Sequence, residues 1–103
     1  MIKISEAAAT QMRVSAQDGG MDGMPLRVAA TRNEDGSFHY AMGFDEAHDD
    51  DSRFQSEGID LVIAPSSLEL LDGMVIDYVE LDGGNREFIF MNPNDPGYVP
   101  PTD

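Results

Sequence analysis

The stretch "EGIDLVIAPSSLELLDGMVIDYVE", Glu57 to Glu80, shows most clearly how the chain folds. Apolar side chains alternate over Ile59–Ile63, and this period of two predicts a strand entered through Gly58. Pro65 then opens a short leucine-rich helix, and Gly73 ends it, because glycine readily takes the left-handed conformation that terminates helices. A strand, a short helix and a second strand therefore follow one another within this stretch.

Two β-hairpins are predicted on either side of that helix. Downstream, Met74–Leu81 and Arg86–Met91 flank the turn sequence "DGGN". Upstream, Leu26–Thr31 and Phe38–Phe44 flank a polar turn at Asn33–Ser37. The second of these strands alternates strictly, so its four large side chains are expected to share one face, namely Phe38, Tyr40, Met42 and Phe44.

The N-terminal region predicts a short edge strand followed by a helix. Met1–Ile4 alternates, Ser5 offers a capping hydroxyl, and Glu6 places negative charge in the first turn, where the helix dipole favours it. The alanine-rich helix is expected to end at Gly19. The sum is a small α+β fold, mostly strands, with an N-terminal helix and a short internal helix.

The domain is predicted to span 1–92, followed by a tail at 93–103 that we expect to be disordered. The tail carries four of the chain's prolines and shows no hydrophobic period. At 103 residues, the chain is long enough to bury one core and too short for two.

The composition limits the classes of function. The chain has 20 acidic and 6 basic residues, a net charge of −14. This charge argues against direct binding to nucleic acid or to an anionic membrane, and it favours a basic protein partner, although acidity can also serve solubility alone. The chain contains no cysteine, which removes disulfides, thiolate metal sites and thiol nucleophiles. No signal peptide or membrane span is recognisable, so we expect a cytoplasmic location.

Several segments, in order, resemble one family, the A-type iron-sulfur carriers, also called HesB-like or IscA/SufA-like proteins. The opening "IKISEAAATQM" is similar to their first strand and helix, and "LRV" with "FHYAMGFD" is similar to the hairpin around their first cysteine. The stretch Glu57–Glu80 carries the most specific likeness, and "NPN", Asn92–Asn94, is similar to the motif before their cysteine-rich tail. The resemblance implies the HesB-like fold.

The chain departs from this pattern at every cluster-ligand position. Counting without gaps along the hairpin places the family's first cysteine at Asp35. Counting from Asn94 places the two tail cysteines at Val99 and Pro101. A carboxylate is a hard ligand that suits a sulfide cluster poorly, and the other two side chains offer no donor atom. We therefore expect no cluster and no other cofactor, and we read Asp35 as a turn residue.

Other patterns are weaker. The acidic run Asp45–Asp51 is expected to be a solvated loop, since it lacks the alternating carboxylates and central glycine of a calcium site. His48 and Asp50 have a spacing seen in iron sites, with His39 as a conceivable third ligand, but His39 falls within a strand. No nucleophile motif is present, and no metal site and no enzymatic activity are predicted.

The resemblance and the missing cysteines together imply a non-catalytic adaptor or regulatory protein. Cysteine-free members of the DsrR-like kind are associated with dissimilatory sulfur oxidation and its sulfite-reductase system. The alternative is a carboxylate/histidine binder that delivers iron or another cation for iron-sulfur or siroheme protein maturation. We expect a monomer that binds its protein partner through Arg32, Glu34 and Asp35, or else through Asp49, Asp50 and Asp51.

Overall fold

The computed structural model describes residues 2–96 of the chain, which form two β-sheets and two α-helices. The elements, in chain order, are β1 (Lys3–Ile4), α1 (Glu6–Asp18), β2 (Leu26–Arg32), β3 (Phe38–Phe44), β4 (Ser52–Ser56), β5 (Ile59–Ile63), α2 (Pro65–Leu71), β6 (Val75–Glu80) and β7 (Arg86–Met91). A 3-10 turn, Asp82–Gly84, joins the last two strands. This order confirms the predicted α+β class and both predicted hairpins.

The two sheets have the strand orders β1-β6-β7 and β3-β2-β5-β4. β1 runs parallel to β6, and β2 runs antiparallel to β3 but parallel to β5. The first sheet therefore combines a hairpin with one strand that is distant in the chain, and the second joins two hairpins through the parallel pair β2 and β5. In the described part of the chain, neither helix is long and apolar enough to cross a membrane.

The core is formed by one cluster of apolar side chains contributed by both sheets and both helices. Its buried members are Ile2, Ile4, Ala8, Ala9, Met12, Leu26, Val28, Ala30, Leu61, Ile63, Leu71, Met74 and Ile76. The predicted apolar face of β3 is confirmed, because Phe38 is buried and the other three large side chains pack against the cluster. In the short leucine-rich helix, Leu71 is fully buried, whereas Leu68 is 36% exposed.

The N-terminal helix begins as the sequence predicts. Ser5 Oγ accepts a hydrogen bond from the Ala8 N–H at 3.1 Å and donates one to Asp77 Oδ1 at 2.5 Å. The same hydroxyl therefore caps α1 and ties it to β6. Ala8, Ala9 and Met12 are buried along one side of the helix.

Strand β4 is an addition to the predicted fold. Its sequence "SRFQS" contains a single large apolar residue, Phe54, so it lacks the period that identifies a strand. It pairs with β5 through a two-residue turn, Glu57 and Gly58, with φ of 51° and 78°. Left-handed φ at both positions matches a type I′ hairpin, and the Arg13 guanidinium donates to the Glu57 carbonyl. The turn is thereby held against α1.

The packed region extends past the predicted domain boundary at residue 92. Asn94 Nδ2 donates to the Asp72 carbonyl at 2.6 Å, and Tyr40 donates its hydroxyl proton to Asp95 Oδ2 at 2.9 Å. These contacts attach two residues of the predicted tail to α2 and β3. Residues 97–103 of that tail lie outside the described residues.

Candidate functional site

The turn between β2 and β3 contains Asp35, and its carboxylate is used within the turn. Asp35 Oδ1 accepts hydrogen bonds from the Ser37 N–H at 3.0 Å and from the Ser37 hydroxyl at 2.6 Å. These bonds favour the ionised form, and they hold the pKa of Asp35 below its usual range. Gly36 supplies the φ of 89° that closes the turn. The geometry confirms that Asp35 is a turn-forming aspartate.

The hairpin turn also brings together the other two residues predicted there. Arg32, at the end of β2, places its guanidinium carbon 5.3 Å from the centroid of the Phe38 ring. A cation over an aromatic face is attracted by the ring quadrupole, so this contact restrains the long arginine side chain. Arg32, Glu34 and Asp35 are all exposed, and they form one mixed-charge tip on the hairpin.

The end of β7 and the segment that follows it, residues 92–96, lie beside this hairpin. The Tyr40 ring stacks on Phe90 with centroids 4.9 Å apart and planes 11° from parallel. Burial, together with the hydrogen bond to Asp95, raises the pKa of Tyr40 to about 12. Tyr40 thus stays protonated as the donor that joins β3 to the segment after β7. The predicted ligand positions Val99 and Pro101 lie outside the described residues.

The "NPN" motif anchors the same segment to the end of α2. Asn92 is fully buried, and its Nδ2 donates to the Leu70 carbonyl at 2.7 Å. Its Oδ1 accepts from the Asn94 N–H at 3.0 Å. Carbonyls in the last turn of a helix have no partner within the helix, so both asparagines satisfy groups that would otherwise lack hydrogen bonds. This motif therefore fixes the segment after β7 against the end of α2.

The acidic loop 45–51 is organised by one arginine. Arg27, on β2, donates Nε to Asp45 Oδ2 at 2.8 Å, and it donates Nη1 and Nη2 to the two oxygens of Asp51 at 2.9 and 2.7 Å. The Asp51 side chain has no exposed surface, and that of Arg27 is 18% exposed. The guanidinium holds the pKa of both carboxyl groups below their usual range, and the two carboxylates raise the pKa of Arg27.

These contacts correct two sequence predictions. The loop is not simply solvated, because Arg27 also donates to the Glu46 carbonyl at 2.9 Å and so binds both ends of the loop. Asp51 cannot be a surface contact for a partner, since both of its oxygens face Arg27 and none of its side chain is exposed. Asp49 and Asp50 are exposed, as predicted.

Sequence reasoning missed Arg27 as a functional candidate. Its only signal was its position, opposite the apolar face of Leu26 and Val28 in a chain with few cations. That pattern places Arg27 on the other face of the sheet but does not reveal which of the 20 acidic residues it meets. The pairing joins residues 18 and 24 positions apart, and only the path of the chain after β3 brings them together.

A group of candidate cation ligands lies in the same loop. His48, Asp50 and Asp51 have ligand atoms within 4.8 Å of one another, while the predicted His39 is not part of this group. Asp51 Oδ2 already accepts from the His48 N–H at 2.7 Å as well as from Arg27. A cation at this carboxylate would lie next to the guanidinium, and like charges at that distance repel. The arrangement suits an ion pair better than a metal.

Comparison with known proteins places this geometry in a family. The family model described as "Iron-sulphur cluster biosynthesis" matches residues 1–95. The iron-sulfur cluster insertion protein ErpA of Stutzerimonas stutzeri is 36% identical over 94 residues, covering 90% of this chain and 80% of that protein. ErpA of Hydrogenovibrio crunogenus is 37% identical over 94 residues, covering 90% of this chain and 82% of that protein.

Solved structures agree with these sequence matches. The crystal structure of IscA with a [2Fe-2S] cluster has a TM-score of 0.72 at 31% identity, covering 90% of this chain and 86% of that one. The structure of Escherichia coli SufA, involved in biosynthesis of iron-sulfur clusters, has a TM-score of 0.71 at 26% identity, covering 90% and 86%. The sequence, the fold and the hairpin with its adjoining "NPN" segment therefore show that this chain belongs to the iron-sulphur cluster biosynthesis family.

Proposed function

We propose that this protein is a cluster-free adaptor or regulatory member of its family, which acts by binding another protein and not by catalysis. The observation that carries the proposal is the complete absence of cysteine from the 103 residues. Protein-bound iron-sulfur clusters are held by thiolates in nearly all known sites. A family member without any thiol keeps the fold and the surface of a carrier but lacks the means to hold its cargo.

The residues at the hairpin do not fit a cluster. Asp35, at the position where the resemblance places the first cysteine, offers a hard carboxylate whose Oδ1 already accepts two hydrogen bonds from Ser37. Oxygen ligands suit magnesium or calcium and not a sulfide-bridged iron pair. The surface of the hairpin tip remains, and we assign partner binding to its exposed Arg32 and Glu34 beside Asp35.

The proposed setting is the cytoplasmic dissimilatory sulfur-oxidation system with its sulfite reductase. The support is the likeness to DsrR-like members of the family, which lack cysteines and share the acidic composition. The partner is then a protein of the sulfur-oxidation or iron-sulfur machinery that presents a basic patch to a chain of net charge −14. Strong self-repulsion at this charge favours a monomer.

A second candidate function is delivery of iron or another cation through carboxylates and histidine. The group His48, Asp50 and Asp51 favours it, since the three ligand atoms lie within 4.8 Å of one another. The engagement of Asp51 by Arg27 weighs against it. The two candidates differ in metal content, so titration of Fe²⁺ into the purified protein, followed by calorimetry, distinguishes them.

The decisive experiment is capture of a partner from native extract on the immobilised protein. A variant with Arg32→Ser and Glu34→Ser removes both free charges of the hairpin tip while it leaves the Asp35–Ser37 turn in place. Loss of one specific protein from the bound fraction, with an unchanged melting temperature, is expected. A variant with Lys3→Ser and Glu69→Ser, away from the hairpin, serves as the matched control. Equal capture by all three proteins would refute the assignment of the hairpin tip.

A further inference from the structure

The outer edge of β3 is an open sheet edge. In the sheet order β3-β2-β5-β4, β3 lies at the end, and among residues 2–96 it pairs only with β2. We propose that this edge accepts an extended segment of a partner protein as an additional strand, and that this segment carries basic residues at its two ends. The inference deepens the proposed function and rests on it, since it names how the partner docks beside the hairpin tip.

The backbone geometry identifies which groups face outward. In an antiparallel pair, residues that exchange hydrogen bonds alternate with residues whose N–H and C=O point away. The Asn33 N–H bonds the Ser37 carbonyl at 2.7 Å at one end of the hairpin, and the Asp45 N–H bonds the Pro25 carbonyl at 3.2 Å at the other. Stepping along the register by twos assigns His39, Ala41 and Gly43 to bonds with β2.

The four remaining residues of β3 therefore direct their backbone groups outward; these are Phe38, Tyr40, Met42 and Phe44. Ala30, which is opposite Tyr40, supports this assignment, because its N–H donates to Ser67 Oγ at 3.1 Å on the side away from β3. Within residues 2–96, no hydrogen bond is made to the outward backbone groups of β3. They form a row of donors and acceptors along a strand of 7 residues.

This edge lacks the features that usually prevent strand addition. Natural edges carry charged residues, proline, bulges or short strands. β1 has only 2 residues, β4 contains Arg53, and β7 contains Arg86 and Glu87. β3 has none of these features over Phe38–Phe44 and pairs with β2 without a bulge. A Cβ placed on Gly43 would meet nothing within 4 Å, so the face of the sheet at that position is open as well.

Charge decides which occupant fits the edge. Glu34 and Asp35 precede β3 beside Arg32, and Asp45 and Glu46 follow it beside Arg27, which also pairs with Asp51, so acidic groups outnumber the arginine at each end while the strand itself is uncharged. The two acidic pairs are separated by roughly 23 Å, the length of seven extended residues. A second copy of this chain would add another net charge of −14 to the same place. A partner segment with an uncharged middle and Lys or Arg at both ends matches the edge along its whole length.

The first test is residue-resolved amide exchange of the full chain by NMR. Outward amides of β3 are expected to exchange quickly, while those of His39, Ala41 and Gly43 are protected by β2. Protection of the outward set in the free protein would overturn the proposal, because the edge would then already be occupied. Dependence of that protection on protein concentration, or its loss after truncation at Pro96, would identify the occupant as a second copy or as the chain's own C-terminus.

The second test uses octapeptides selected from a displayed random library as probes. Selected peptides are expected to carry basic residues at both ends and to protect the outward amides when bound. Selection of no binder, or of peptides that leave these amides unchanged, would overturn the proposal. Ala41 is exposed, so Ala41→Lys should weaken binding of a selected peptide by about tenfold or more, because a lysine on an edge strand would place its charge against the uncharged middle of the added segment, whereas the control Ala41→Thr should not.

The outcome also separates this inference from the proposed function. If the protein captures its cellular partner and the Ala41→Lys variant captures it equally well, the adaptor function stands and the strand-addition site is wrong. If the selected peptides bind β3 as described but no cellular partner exists, the edge is confirmed as a peptide-binding site and the adaptor function fails.

Discussion

Replacement of Asn92 by alanine should destabilise the whole domain, although the residue lies near the end of the chain. Asn92 is fully buried and makes two side-chain hydrogen bonds to backbone, at 2.7 Å to the Leu70 carbonyl and at 3.0 Å from the Asn94 N–H. Alanine leaves the Asn94 N–H without its acceptor and removes the shorter bond to Leu70. The longer bond from Asn94 Nδ2 to Leu70, at 3.3 Å, remains as partial compensation.

The magnitude follows from these contacts. A hydrogen bond contributes about 0.5–1.5 kcal/mol to stability, so the loss of both bonds should lower the free energy of unfolding by roughly 2–3 kcal/mol. For a domain of this size, that corresponds to a decrease of about 10–20 °C in melting temperature. The assay is thermal unfolding followed by circular dichroism, with denaturant titration to give the free energy. Asn85→Ala, at an exposed asparagine, is the control and should change the free energy by less than about 0.5 kcal/mol.

The variant Asn92→Asp tests the direction in which stability changes with pH. One carboxylate oxygen can still accept from Asn94, but the other would face the Leu70 carbonyl in a buried site, so the pKa of the introduced carboxyl should rise on folding. Stability relative to wild type is then best below the unfolded pKa of about 3.9 and is lost as the pH rises through the higher folded value. A melting temperature of Asn92→Ala within a few degrees of wild type, or a pH-independent defect in Asn92→Asp, would refute the anchoring role.

Three other outcomes are expected. Arg27→Met should lower the melting temperature more than Arg53→Met, because it leaves the enclosed Asp51 carboxylate without its partner. The pKa of Asp51 is lowered in the folded protein, so the ion pair stabilises the fold above the unfolded pKa, and this contribution is lost as the pH falls through the folded pKa. The melting temperature of Arg27→Met should therefore fall less on acidification than that of the wild type. Neutralising Asp49 and Asp50 together should slow partner association and weaken its salt dependence without changing the melting temperature. Asp51→Asn should instead lower the melting temperature. Equal melting temperatures for these two variants would contradict the burial of Asp51. Melting curves with and without a strong chelator should coincide. Incubation with iron and sulfide should leave no charge-transfer absorbance after desalting, since the chain has no thiolate. Stoichiometric protein-bound iron and sulfide would refute the cluster-free function.

Local patterns were sufficient where one face of an element is apolar. The hairpin of β2 and β3 was predicted because the strict period of Phe38–Phe44 and the Asp35-Gly36 turn point to the same register. Strand β4 could not be predicted, because Phe54 is its only large apolar residue and its pairing with β5 supplies the order that its sequence lacks. Likewise, the "NPN" motif was noticed as a likeness, but its role as an anchor to α2 depends on contacts with residues more than 20 positions away.

The sequence by itself determined the family, the elements with a clear period and the absence of thiols, because each of these is a property of residue types or of near neighbours along the chain. Only the tertiary structure decided which acidic residues are free. Asp49, Asp50 and Asp51 are indistinguishable as letters, yet Asp51 alone is enclosed by Arg27, and so it stabilises the loop and is not available to a partner. Charge pairing across the fold depends on distance in space, and distance in space between remote residues is set only when the whole chain has packed.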